Sequence, residues 1–348
     1  MENFKKLTKK PLFLPIFCLI LVLLINLIKS PDFFAIKISN GVLFGRVIDI
    51  LNRGSEIAIL AVGQTLVVAV SAGTDISVGS VMSLSACSCC MLLAGYGNTN
   101  VSALVMPIAV GMIAGVLMGG VCGAFNGALV SKLKIQPMVA TLILFTAARA
   151  IGLLLCNNQI TYIRVEEYKY LGNFIPGCPI PTPVFVAIAV ILVVAIFLRK
   201  TALGLYIQSV GINGRAARIS GINSDVICFI CYVICGLCAG IAGIVASSRI
   251  YSADSNNIGL NYELDAILAV ALGGNSLGGG KFNLAGSIIG AYTIQAITTT
   301  LLAMGVSTDV APVFKAIIVI IIVVVQAPVF KAYMAARKAQ KAHVKEAA

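Results

Sequence analysis

Ten runs of apolar residues, separated by short polar stretches, dominate this sequence. A helix that crosses the hydrocarbon of a bilayer needs about 20 mostly apolar residues. In a chain of 348 residues that is 59% hydrophobic, ten such runs leave no room for a separate soluble domain of ordinary size. We therefore predict an all-α fold, a polytopic membrane helix bundle of about ten transmembrane helices, as one domain over residues 1–348. The runs cover residues 12–28, 56–72, 76–95, 102–130, 138–156, 183–198, 224–248, 264–272, 284–303 and 312–327.

The basic residues are distributed unevenly among the segments that join these runs. If the N-terminus lies in the cytoplasm, the inside segments hold sixteen Lys and Arg residues, and the outside segments hold six together with nine acidic residues. This asymmetry follows the positive-inside rule. It predicts that residues 1–10, the basic tail 328–348 and the polar segment 205–223 all face the cytoplasm.

The net charge of +12 raises the alternative of a nucleic-acid-binding protein. The basic residues, however, are scattered between apolar runs and are not interleaved with aromatic residues, so we expect membrane lipid and no nucleic acid as a partner. The first run also resembles a signal peptide. Because it is long enough to span, and because no small-x-small cleavage site precedes Lys29 and Pro31, we interpret it as a retained helix.

Eleven cysteines lie mostly inside apolar runs, which argues against an extracellular disulfide framework. Cys228, Cys231, Cys235 and Cys238 have a spacing that also occurs in metal sites. On one helix, however, their sulfurs would spread over roughly 15 Å and could not converge on one ion, so we predict a packing face. The single histidine, His343, lies in the basic tail, which leaves no His-based metal site or catalytic triad within the membrane.

The segment 205–223, LYIQSVGINGRAARISGIN, is the long interior stretch that keeps two arginines between apolar runs. We predict a short amphipathic helix, a turn supplied by Gly211, Asn213 and Gly214, and a second small helix that Gly221 ends. An ordinary cytoplasmic turn between two spans is the alternative interpretation.

The pattern G-x-N-x-x-A-A-R-x-S-G-I-N resembles the cytoplasmic coupling loop of permease subunits in the ribose/galactose class of bacterial ABC sugar importers. The resemblance implies that this loop fits a groove on the ATPase subunit, with small side chains entering the groove. The ATPase-coupling residues that it implies are Gly211, Asn213, Ala216, Ala217, Arg218 and Gly221.

The stretch 72–80, AGTDISVGS, places Asp75 between two apolar runs. It resembles the G-G-I-D-L-S-V-G motif of the same family, and it departs from that motif at Thr74, so that Gly73 alone supplies backbone freedom. Asp75 is expected either to cap the following helix or to border the pathway at a polar break in a membrane helix.

The glycine-rich stretch 264–286 resembles a second motif of the family, and its glycines permit close helix packing and a re-entrant turn. Gly280 and Lys281 suggest a phosphate loop, but Asn275 and Phe282 stand where that loop requires Gly and Ser or Thr. We therefore expect no cofactor on this chain, with ATP and Mg²⁺ bound by a separate ATPase subunit.

Polar side chains inside the apolar runs are the candidates for lining a sugar pathway, because sugar hydroxyls pair well with amides and hydroxyls. Each of them could equally form a bond between helices. Together with Asp75, the candidates are Gln64, Thr65, Asn126, Thr141, Asn275 and Gln295.

The resemblance extends over residues 43–326 and is greatest to the galactofuranose-type permease of this class. It implies a monosaccharide importer for galactofuranose, galactose or a ribose-like sugar in the bacterial plasma (inner) membrane. It also implies a homo- or heterodimer of permeases, ATPase subunits inside, and a periplasmic or lipid-anchored sugar-binding protein outside. The long outside segments 29–54 and 157–182 are expected to be either docking surfaces for a soluble partner or stiff connectors.

Three other functions remain as alternatives. A permease for another small polar solute would share these features. An ion-coupled secondary carrier would have charged residues deep in several spans, and here only Asp75 and Arg149 approach that pattern. An intramembrane enzyme would need a catalytic constellation, and the sequence suggests none.

Overall fold

The computed structural model describes residues 12–29, 31–39 and 41–326 of the chain. Helices form in every one of the ten apolar runs, and two further helices occupy polar segments. Residues 1–10 and the tail 328–348 with His343 lie outside the described residues. Within these, the helices are α1 (Phe13–Lys29), α2 (Arg46–Ser71), α3 (Val78–Ala94), α4 (Ile108–Ser131), α5 (Pro137–Leu155), α6 (Glu166–Lys169), α7 (Thr182–Lys200), α8 (Leu203–Ile219), α9 (Ser224–Ile250), α10 (Tyr262–Leu272), α11 (Leu284–Ala303) and α12 (Ala311–Gln326).

Six helices in the described part of the chain are long and apolar enough to cross a membrane, namely α2, α4, α5, α7, α9 and α11. The chain is therefore an all-α membrane helix bundle, as the sequence predicts. Helix α3 is apolar but has only 17 residues. Helix α10 has 11 residues, which span roughly half of the hydrocarbon thickness.

Short strands lie in the connections between helices. Strands β1 (Lys37–Ser39) and β2 (Val42–Phe44) form an antiparallel hairpin ahead of α2. In a second sheet, β4 (Thr161–Ile163) pairs in parallel with β3 (Asn100–Val101) and antiparallel with β5 (Ser252–Ala253). The two long segments predicted to lie outside thus contain ordered structure.

Helices α2 and α9 form the centre of the bundle and pack against each other. Helix α9 also packs closely on α4, where a Cβ on Gly119 would overlap the carbonyl oxygen of Gly236. Such glycine contacts bring two membrane helices together through backbone dispersion contacts. The four cysteines of α9 are buried within this core, which agrees with the predicted packing role.

Two non-helical segments interrupt the bundle, and each of them joins a long helix that ends at a left-handed residue to a short helix. Helix α2 ends at Ala72 in the left-handed conformation (φ 51°), and residues 72–77 lead into the short α3. Helix α9 ends at Tyr251 in the same conformation (φ 56°), and residues 251–261 lead into the short α10. We call these segments the first and the second break. Gly79 in the first turn of α3 touches Gly259 of the second break, where a Cβ on either residue would overlap the other's backbone.

Candidate functional site

Asp75 lies at the centre of the first break and is 2% exposed. Its Oδ1 accepts hydrogen bonds from the backbone N–H of Ser77 at 2.8 Å and from the Ser77 hydroxyl at 2.6 Å. The carboxylate therefore closes a turn onto Ser77, which is the N-cap residue of α3, rather than capping the N–H groups of the helix itself.

Side chains from three helices hold the first break in place. The Gln64 amide of α2 donates to the Asp75 carbonyl at 3.2 Å and accepts from the Asp75 N–H at 3.0 Å. Asn126 of α4 donates to the Ser77 hydroxyl at 2.8 Å, and its Nδ2 lies 3.5 Å from Asp75 Oδ2. Thr141 of α5 accepts from the backbone N–H of Ile76 at 3.2 Å. Four of the predicted pathway residues thus meet in one polar cluster, which we call the Asp75 cluster.

The second break is held by Arg149 of α5. Its guanidinium donates to the carbonyl oxygens of Ser255, Asn256 (2.9 Å) and Ile258 (3.4 Å). The Ser255 hydroxyl donates back to the Arg149 carbonyl at 3.1 Å. A planar fork with several donors suits this task, because the carbonyls of a non-helical segment have no partners of their own.

Thr65 and Asn275 belong to a different polar group. Thr65 donates to the Ser287 hydroxyl at 2.7 Å, and Asn275 Nδ2 donates to the same hydroxyl at 2.8 Å. Asn275 Oδ1 also accepts from the backbone N–H of Asn283. These bonds tie α2 and α11 to the glycine-rich loop between α10 and α11. The two side chains therefore take part in the interhelical bonds that the sequence left open as the alternative.

A cavity with a volume of about 870 Å³ lies between the N-terminal ends of α2, α10 and α12 and the C-terminal end of α11. Gln295 lines it and donates to the Thr299 hydroxyl at 3.2 Å. Lys315 Nζ and Asp265 Oδ1 form an ion pair of 2.6 Å in its wall, with side chains that are 12% and 10% exposed. The other polar residues that line it are Arg46, Asp49, Arg53, Asn257, Asn261, Tyr262, Thr298 and Thr308.

A second buried ion pair borders this cavity. Arg249 Nη2 of α9 lies 2.9 Å from Glu56 Oε1 of α2, and the hydroxyl of the cavity residue Tyr262 donates to Glu56 Oε2 at 3.0 Å. Arg249 also donates to Asn52 Oδ1 at 2.9 Å. The group joins three helices, and each charge in it has a partner, as burial requires.

Helix α8 covers most of the segment in which the sequence predicts two helices and a turn. Its regular geometry is broken at Asn213 (φ −157°, ψ 94°). There the side chain accepts from the backbone N–H groups of Arg215 and Ala216 at 3.1 and 3.0 Å and so caps the second part. Gly221 (φ 84°) follows the end of the helix as predicted.

The expectation for two glycines and one alanine in this segment needs correction. Gly211 and Gly214 are helical and do not form the turn, because Asn213 alone breaks the helix. Ala217 is only 5% exposed and packs within the core of its own chain, so its side chain is not available to enter a groove. Ala216 is exposed.

Arg218 has a partner within its own chain. Its Nη2 lies 2.9 Å from Asp225 Oδ1, and Lys134 Nζ binds the same carboxylate oxygen. The three side chains join α8 to the start of α9 and to the connection between α4 and α5, and all three are more than a third exposed.

The sequence matches known proteins over almost its whole length. A family described as the permease component of the branched-chain amino acid transport system matches residues 46–325. The chain belongs to this family. It is a multi-pass membrane protein and a transport component, not an enzyme.

Three relatives of the permease are named for sugars. The galactofuranose transporter permease of Escherichia coli K12 is 41% identical over 90% of this chain and 88% of its own length. The fructose import permease of Bifidobacterium longum is 37% identical over 100% of this chain and 97% of its own length. The ribose import permease of Escherichia coli K12 is 36% identical over 88% of this chain and 90% of its own length. No solved structure matches the permease.

Sequence reasoning noted Arg149 only as a charge deep in a span and did not single out Arg249 or Lys315. These three are the basic residues that the charge count assigned to neither side of the membrane, and each makes a buried or half-buried interaction. Their position within or directly beside an apolar run was the available signal. Ser77 and Ser287 gave no such signal, since serine is common in membrane helices.

Proposed function

We propose that this permease is the membrane subunit of an ATP-binding-cassette importer that carries a monosaccharide into the cytoplasm across a bacterial inner membrane. The observation that carries the proposal is the cavity of about 870 Å³, which offers amides, hydroxyls and paired charges. Its size is that of a small-ligand site, and a sugar ring needs such polar partners. The names of the relatives support a sugar as substrate.

The orientation of the bundle follows from the charge asymmetry. We propose about ten transmembrane helices with both termini in the cytoplasm, and α8 inside as well. The cavity then opens to the outside, because α2 and α12 begin there and α11 ends there. The short helices α3 and α10 do not cross alone, and each completes a crossing with the break that precedes it.

In this conformation the start of α3 packs closely on the second break, since a Cβ on Gly79 would overlap Gly259 and the carboxylate of Glu263. We propose that the sugar enters the cavity beside Gln295 and passes the Asp75 cluster after the breaks separate. Gln64, Asn126 and Thr141 would then exchange bonds with the backbone for bonds with sugar hydroxyls. Thr65 and Asn275 would position the loop.

Partners complete the transporter. ATPase subunits would bind at α8, supplying ATP and Mg²⁺ sites that this chain does not provide, and their contacts would include Ala216, Asn213 and Gly221. A periplasmic or lipid-anchored sugar-binding protein would dock on the side that carries the β1–β2 hairpin. A second permease, identical or different, would form the dimer.

Uptake by cells tests the substrate class. Cells without their own sugar importers would express this permease with the ATPase and binding protein encoded next to it, and accumulation of labelled galactose, ribose, fructose and leucine would be measured. We expect accumulation of at least one sugar and none of leucine. Accumulation of leucine alone would contradict the proposal and favour the amino-acid substrate that the family description names.

A further inference from the structure

We infer that Gly211 of α8 and Gly280 of the loop between α10 and α11 form a junction without side chains, through which movement of α8 reaches the end of α2. The inference rests on the proposed function, since it assigns to these glycines the coupling of ATPase movement to the pathway. We call this contact the glycine junction, and Ala69 of α2 is its third member.

The three backbones touch directly. The backbone N–H of Gly280 donates to the Ala69 carbonyl at 2.8 Å, which joins the loop to the last turn of α2. A Cβ on Gly211 would overlap that same carbonyl oxygen and lie 2.7 Å from the Gly280 nitrogen. Any side chain at position 211 would therefore push backbone atoms apart, because no flexible group is present that could move aside.

The loop is shaped for this contact. Gly279 and Gly280 have φ values of +81° and +90°, which non-glycine residues rarely adopt. Their Cα positions face Ala72 and Ile212, since a Cβ on Gly279 would lie 3.1 Å from the Ala72 side chain and one on Gly280 would lie 3.1 Å from Ile212 Cγ1. The glycines thus let the loop lie between α8 and α2.

The junction leads directly to the Asp75 cluster. Ala69 lies three residues before Ala72, the left-handed residue at which the first break begins, and Asp75 follows three residues later. Close-packed backbone contacts transmit a displacement because they have no rotamers that can absorb it. A shift of α8 must therefore move the end of α2, and with it the backbone that Gln64 and Thr141 hold.

The ion pairs at Asp225 offer a second route from α8, toward α4, α5 and α9. Lys134, Arg218 and Asp225 are 57%, 59% and 37% exposed, and exposed ion pairs contribute about 0–1 kcal/mol and join long flexible side chains. They are less suited to transmit force than the glycine junction.

A pair of matched substitutions on α8 tests the inference. Both Gly211→Ala and Gly214→Ala raise helix propensity, but a Cβ on Gly214 meets only Ser224 Oγ at 3.8 Å. In the assembled complex in liposomes, sugar imported per ATP hydrolysed would be measured for whichever of galactose, ribose or fructose the wild type imports. We expect Gly211→Ala to lower this ratio at least about tenfold, the scale of a typical coupling between sites. Gly214→Ala should stay within about twofold.

A ratio for Gly211→Ala equal to that of the wild type would overturn the inference. If Gly211→Ala does not assemble, or if the wild type imports none of the three sugars, distances between spin labels on the wild-type complex decide instead. With the ATPase trapped by ATP and vanadate, the distance from Ser209 to Ser276 should stay constant while that from Ser209 to Leu133 changes. A change between Ser209 and Ser276, or no change in either distance, would overturn the inference. Failure of import alone would count against the proposed function only.

Discussion

At the residue scale, Asp75 holds a turn that precedes a helix and does not cap the helix directly. Its Oδ1 accepts from the N–H and hydroxyl of Ser77, the N-cap residue of α3, and the first break places it beside Gln64 and Asn126. Among the described residues, the hydrogen-bond partners of the carboxylate are neutral groups. The turn needs an acceptor at this position and does not need a charge.

This leads to a prediction for two substitutions of Asp75. Asp75→Asn should keep most of the transport rate, because the asparagine oxygen accepts from the Ser77 N–H and forms the same side-chain turn as aspartate. Asp75→Ala should lose most of it, because the N–H and the hydroxyl of Ser77 lose their acceptor. Uptake at equal amounts of protein in the membrane measures both. Loss of uptake in Asp75→Asn with normal insertion would show instead that the charge itself serves the pathway.

The sequence is enough to select the members of the Asp75 cluster as candidates, but it does not predict that they contact one another. Gln64, Asn126 and Thr141 stand out as polar residues inside apolar runs, and that is visible without a structure. For two of them the common partner is a segment far away in sequence, since Asn126 is 51 residues from Asp75 and Thr141 is 65 residues from Ile76. Contacts at such separations depend on how the helices pack, and the pattern along one chain does not encode them locally.

At the element scale, the two breaks determine which helices cross alone. Apolar composition predicts where helices lie, and all ten runs became helices. The ends of α2 and α9 were less visible, because Ala72 and Tyr251 adopt a left-handed conformation that Ala and Tyr rarely take. The residue types at positions 72 and 251 do not signal that a helix ends there. Contacts of Gln64 and Thr141 stabilise the first break instead, and contacts of Arg149 stabilise the second.

The second break gives a prediction about stability. Replacing Arg149 with Met should lower the free energy of unfolding by about 2 kcal/mol, because three bonds from a charged donor to backbone carbonyls of the second break are lost. Arg149→Lys should lower it by less, since an ammonium group keeps the charge but not the fork. Thermal unfolding of the purified permease in detergent measures both.

A variant on the same helix provides the control for Arg149. Thr146 also lies on α5, and among the described residues its hydroxyl bonds to the carbonyls of Leu142 and Ile143 in its own helix. Thr146→Ala should leave the unfolding temperature nearly unchanged. Equal unfolding temperatures for Arg149→Met and Thr146→Ala would mean that the second break is held by other contacts.

At the scale of the whole molecule, the cavity lies at one end of the bundle and the glycine junction at the other, and Gly79 of α3 meets Gly259 of the second break between them. The glycine-rich stretch near Lys281 lacks the residues of a phosphate loop. In the proposed assembly, energy comes from the ATPase that binds at α8.

ATP-driven uptake into liposomes tests this account most directly. Liposomes would contain the permease with its ATPase, and binding protein and labelled sugar would be added outside. We predict that sugar accumulates only when hydrolysable ATP is enclosed, and that a Na⁺ or H⁺ gradient without ATP has no effect. Accumulation driven by an ion gradient, in liposomes that contain the permease without the ATPase, would contradict the account and identify a secondary carrier.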